Sequence, residues 1–166
     1  MIRLSMPLVA IALLTLAGCL SSGSGTLDVQ ATDAPDNLDD FRHLNVTVTS
    51  IVIRMKDGGD KSYTPSSSTF DLTTLNGGTT KSLFKDDVPA GNYTRLELKV
   101  QDAMGDLKAG GSVAVKAPSG TLFLNRGFTV EEGKTTTFVF DIQVHKLGNG
   151  GYNFQPNASG SKVHDP

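Results

Sequence analysis

This chain of 166 residues has one cysteine and no tryptophan. A single thiol cannot form an intramolecular disulfide, a Cys-x-x-Cys redox pair or a multi-cysteine zinc site. Charge is scarce and balanced: 15 Lys+Arg stand against 17 Asp+Glu, and charged residues make up 19% of the chain. No strong field of either sign results, so neither nucleic acid nor an anionic membrane face is implied as a partner. Long apolar runs are missing too. The run at residues 8–14 falls well short of the ~20 residues that span a bilayer core, so it is not a standing transmembrane helix. Helical periodicity is almost absent, and no Gly-x-Ser-x-Gly nucleophile elbow sits at a strand-to-helix turn.

What is present begins at the N-terminus. Arg3 supplies a positive start, residues 8–14 a short apolar stretch, and Leu16-Ala17-Gly18-Cys19 a small-residue cleavage site. That is the layout of a secretory signal peptide. Leu-Ala-Gly-Cys also resembles the lipobox of lipoproteins, which implies cleavage before Cys19 and a diacylglycerol thioether, with its palmitate-type acyl chains, on the Cys19 sulfur. Residues 1–18 are therefore expected to be a lipoprotein signal peptide and Cys19 the lipidation site. The expected location is extracytoplasmic, lipid-anchored at the cell membrane or outer membrane. With the only thiol so occupied, thiol catalysis and blue copper, which needs a Cys thiolate beside two His, are excluded. Removing 18 of the 166 residues leaves 148, enough for one domain that buries roughly 70% of its unfolded surface.

Residues 19–25, rich in Ser and Gly, read as a flexible tether reaching ~15 Å. The body, residues 26–156, reads as strands and turns. Leu27, Val29 and Ala31 alternate with polar residues, as do Leu44, Val46 and Val48. The apolar parity then shifts to Ile51, Ile53 and Met55, which predicts a β-bulge or a sheet crossing around Ser50. Leu96, Leu98 and Val100 form a half-buried strand, and Phe138, Phe140, Ile142 and Val144 form the most apolar one. Turn sequences such as Asp57-Gly58-Gly59-Asp60, Asn76-Gly77-Gly78 and Pro118-Ser119-Gly120 punctuate them. The fold class expected is all-β, an antiparallel β-sandwich of prealbumin or immunoglobulin type. A single helical turn capped by Asp36 is expected within residues 34–44. Residues 157–166 read as a disordered tail.

Several phrases occur in a particular order. Gly25-Thr26-Leu27-Asp28-Val29 leads to Thr32-Asp33-Ala34-Pro35, then Val46-Thr47-Val48-Thr49-Ser50-Ile51 and Phe70-Asp71-Leu72-Thr73-Thr74-Leu75. Pro89-Ala90-Gly91-Asn92-Tyr93 and Asp141, at the end of the Phe-rich strand, complete the series. In that order they resemble the lipoprotein family of domain of unknown function 4382, over about residues 25–156. The resemblance implies a lipid-anchored surface domain of sandwich type and transfers no catalytic residue.

Site chemistry must come from the residues. Residues 127–135 end like a phosphate loop, but the glycine spacing is one residue too long and no helix follows. Asp33, Asp36, Asp39 and Asp40 crowd into eight residues. Hard carboxylate oxygens so close together suit Ca²⁺, although the spacing is not that of an EF-hand; the alternative is a solvated loop. His43 and His145 with a carboxylate would make a zinc site. Asn45, Asn92 and Asn157 head Asn-x-Ser/Thr sequons, with Asn92 at a turn and Asn157 in the tail as the accessible glycan acceptors. The functional expectation is a monomeric, non-enzymatic envelope module without a required cofactor, binding a protein, glycan or small ligand. A metal-binding protein or metal-dependent enzyme using residues 33–43 is the alternative.

Overall fold

Alternating side chains and closely spaced turns give strands throughout. The computed structural model describes residues 23–33 and 38–165. These hold thirteen strands: β1 (Ser24–Asp33), β2 (Phe41–Met55), β3 (Asp60–Tyr63), β4 (Thr69–Asp71), β5 (Lys81–Pro89), β6 (Gly91–Val100), β7 (Ala103–Leu107), β8 (Ser112–Lys116), β9 (Thr121–Leu124), β10 (Phe128–Val130), β11 (Thr135–Lys146), β12 (Tyr152–Pro156) and β13 (Lys162–His164). Helical structure among the described residues is confined to single 3-10 turns, one of them at Leu38–Asp40 where a helical turn was expected. No described helix is long and apolar enough to cross a membrane. The leader, Cys19 and Asp36 lie outside the described residues.

The fold is all-β, but its sheet is mixed rather than antiparallel. The strand order is β10-β6-β2-β7-β8-β12-β11-β1-β5, and β1–β11 and β12–β8 pair in parallel. The parallel pairing of β1 with β11 follows from how both strands start. Thr26 N–H donates to the Lys134 carbonyl and Gly133 N–H to the Ser24 carbonyl, so the two strands enter the sheet side by side in one direction. Gly25 permits this approach, because a Cβ there would overlap the Glu131 carbonyl oxygen. β11 is covered on both faces, as parallel-paired strands usually are: Val139 and Asp141 are buried along with Phe138, Phe140, Ile142 and Val144.

The β10–β6–β2 and β12–β11–β1–β5 wings share one core. Tyr93 of β6 stacks on Phe128 of β10 at 5.0 Å between centroids, and Phe128 meets Phe138 of β11 edge-on at 5.3 Å. The expected irregularity at Ser50 is a bulge: the β2–β6 register shifts between Val48 and Ser50, so Val48 and Ile51 are both buried. The tail is ordered where disorder was expected. Its β13 pairs with β11, held by Asp141 N–H donating to Ser161 Oγ (2.9 Å) and Asn157 Nδ2 donating to Asp141 Oδ2 (3.1 Å). Likewise, Ser24 and Gly25 belong to β1 and not to a tether.

The Pro89-Ala90-Gly91-Asn92-Tyr93 corner carries a pH prediction. The Tyr93 hydroxyl donates to the Pro89 carbonyl at 2.6 Å, and burial, followed by the neighbouring Tyr63, pushes its pKa up to about 12. The unfolded chain releases this proton near pH 10 and the folded chain retains it, so stability falls as pH rises from about 10 to about 12. Tyr93→Phe should flatten that alkaline loss in denaturation curves taken between pH 8 and 11. Curves of unchanged slope would contradict the assignment.

Candidate functional site

The outward row of β6 and the outward row of β9 form one charged and aromatic surface. Register pairs Glu97 with Phe123 and Lys99 with Thr121, while Leu96, Leu98, Leu122 and Leu124 point into the core. Glu97 sits between two cations, with Arg95 Nε at 2.9 Å from Oε1 and Lys99 Nζ at 3.5 Å from Oε2. Both cations also lean toward β9. The Arg95 guanidinium lies 4.1 Å from the centre of the Phe123 ring, and Lys99 Nζ donates to Thr121 Oγ1 at 3.1 Å. Phe123 is 44% exposed, one of two large apolar side chains so exposed among the described residues.

These side chains wall a groove of about 690 Å³ that runs on to Phe154, Gln155 and Pro156 of β12. Its size falls within the ~300–1,000 Å³ of ordinary ligand sites. The turn Pro118–Gly120 joins it, with Ser119 in the left-handed region at φ 59°, a conformation unusual for a residue with a Cβ. The groove offers two cations, one anion, hydroxyls, an amide, an aromatic ring and nearby strand backbone. That inventory is suited to recognition; Glu97 is engaged by cations at both oxygens.

Of the described acidic candidates, Asp40 turns away from Asp33 and Asp39. Asp33 is buried at the end of β1 and shares a small cavity of about 90 Å³ with exposed Asp39 and with Lys108. Asp40 turns to β11 and β12, where its Oδ2 accepts from Lys146 Nζ (2.8 Å) and the Tyr152 hydroxyl (2.6 Å). Those hydrogen bonds, Lys146 first, hold the Asp40 carboxyl below the usual carboxylate range. An ammonium thus meets its charge where a cation was expected. His43 Nδ1 lies 2.8 Å from Asp71 Oδ2, and His145 is exposed on β11. Among the described residues, no three His, Cys, Asp or Glu side chains gather as a metal-holding group.

The sequons differ in presentation. Asn92 is exposed, with its Oδ1 accepting from Thr129 Oγ1 at 3.0 Å. Asn157 is half-buried, and its amide nitrogen is committed to the Asp141 carboxylate, whose pKa burial raises. Residue types alone missed the groove. Phe123 between two leucines on an alternating strand was a readable sign of an exposed ring, but its partnership with Arg95 depends on the β6–β9 pairing.

Comparison with known proteins gives a family and little else. The family described as "Domain of unknown function (DUF4382)" matches residues 24–156. No curated protein matches the chain. An NMR structure of a protein from Eubacterium rectale aligns over 80% of this chain and 86% of that one, at 15% sequence identity and a TM-score of 0.27.

Proposed function

The chain belongs to the family of domain of unknown function 4382, and we propose that it is a lipid-anchored, extracytoplasmic binding module and not an enzyme. The observation that carries the binding reading is the groove between β6, β9 and β12, where Arg95, Lys99 and the exposed Phe123 ring converge. The fold is read as a prealbumin-like sandwich, supported by the two wings that pack Phe128 against Phe138. The anchor reading is supported by Leu16-Ala17-Gly18-Cys19, and β1 starts only five residues after Cys19. A chain of five residues spans at most ~18 Å, so the body would stand close to its membrane.

Fluorescence anisotropy of the processed protein against panels of labelled peptides, oligosaccharides and small anions tests the groove. One class should bind saturably, and Arg95→Ala with Phe123→Ala should weaken it by about tenfold or more, the size of a lost hot-spot residue. Met104→Ser, at an exposed position of β7 outside the groove, should leave binding unchanged. Binding that survives the double substitution would place the site elsewhere.

A further inference from the structure

Most sheet edges are blunted against pairing with foreign strands, by charge, proline or a cover. At one end of the strand order, β5 follows that practice with Lys81, Lys85, Asp86, Asp87 and Pro89. β9 does not. Its sequence Thr-Leu-Phe-Leu has no charge and no proline, and among the described residues it pairs with β6 alone. Across the groove, β12 pairs with β8 only at Tyr152 and Asn153, so residues 154–156 lack a strand partner on that side. The free edge of β9 therefore borders the groove, whereas β10, the uncharged strand at the other end of the strand order, lies against β1.

Positive charge lies at the same edge. Arg95 and Lys99 belong to β6 but carry their head groups over β9, to Phe123 and Thr121. Phe123 and Thr121 are two residues apart on one face, ~7 Å along the strand. With Glu97 the only acid among the groove residues, the wall holds one net positive charge. We propose that the groove takes an extended segment of a partner protein that adds as a strand to β9. Its acidic side chains would alternate with apolar ones: carboxylates at every second position meet Arg95 and Lys99, and the apolar side chains extend the inward row of Leu122 and Leu124. Backbone pairing gives such a site its affinity, and the alternate side chains give it selectivity. This proposal rests on the groove being the binding site and adds the class of occupant.

The test uses the full-length processed protein and a labelled, end-capped peptide of sequence Val-Glu-Val-Glu-Val-Thr. A copy N-methylated at alternate residues, a Lys-for-Glu copy and a uronic-acid tetrasaccharide serve as comparisons. The parent peptide should bind saturably and slow hydrogen exchange at residues 121–124. N-methylation, which removes strand donors and keeps side chains, should weaken binding by about tenfold or more, as should Arg95→Gln with Lys99→Gln. Equal binding of the N-methylated copy would overturn strand addition. Tetrasaccharide binding without peptide binding would overturn the occupant and leave the groove reading standing. Silence of every probe would remove both. Protection of residues 121–124 that grows with protein concentration alone would make the occupant a second copy and overturn the partner segment.

Discussion

Phe140→Ala is expected to cost ~3–5 kcal/mol of folding stability, the usual range for deleting a fully buried aromatic ring. The ring is completely buried on β11, opposite Ala31 of β1, with the Phe138 ring 6.4 Å away. Small Ala31 cannot expand to fill the space, so the loss combines lost transfer energy with a retained cavity. A domain of this size has only ~5–15 kcal/mol in total, so the variant should approach the limit of folding at 37 °C. Thr137→Ala is the comparison. Thr137 is half-buried on the alternate row of β11 and should cost well under half as much. Urea denaturation followed by β-type circular dichroism measures both. Equal losses would mean that Phe140 is not in the shared core.

That strand shows what was legible beforehand. Alternation in residues 138–144, interrupted only by Val139, revealed the inward row, and the parity switch at Ser50 revealed the bulge, because each leaves a period-2 pattern in sequence. β5 left none. The β1–β5 register slips between Val29 and Gln30, so adjacent Leu83 and Phe84 are both buried and the alternation is broken at its centre. The parallel pairing of β1 with β11 joins segments about a hundred residues apart, and no local pattern encodes it. The tail misled by composition: polar, Gly-containing residues after Pro156 looked unstructured, yet Asp141, Asn157 and Ser161 bind them to β11 through side-chain hydrogen bonds.

The candidate sites follow the same division. Crowded aspartates were visible in sequence, but sequence could not show that Asp40 would reach Lys146 and Tyr152, more than a hundred positions away. The groove is the converse case. Arg95, Glu97 and Lys99 read as the solvated face of an amphipathic strand until β9 brings Phe123 beneath the Arg95 guanidinium. A cation held over an exposed ring is worth ~0.5–1 kcal/mol, too little to be the reason for the fold, and it positions the guanidinium at an edge where a ligand would meet it.

The largest effect expected of any single substitution concerns location and not stability. Cys19→Ser should abolish acylation completely. A thiolate is nucleophilic enough to take the diacylglycerol group, whereas a serine hydroxyl stays protonated at neutral pH and attacks too weakly. Each buried methylene of an acyl chain contributes ~0.8 kcal/mol of membrane affinity, and a diacylglycerol brings two chains, so its loss removes the whole anchor. The surface cannot compensate, because the processed chain would carry 14 basic against 17 acidic side chains once Arg3 has left with the leader. Metabolic labelling with a palmitate analogue should mark the wild type and leave Cys19→Ser unmarked. The variant should also move from the detergent phase to the aqueous phase, or accumulate with its leader uncleaved. Lipid found on the substituted protein would sink the assignment of Leu16-Ala17-Gly18-Cys19 as the lipidation sequence.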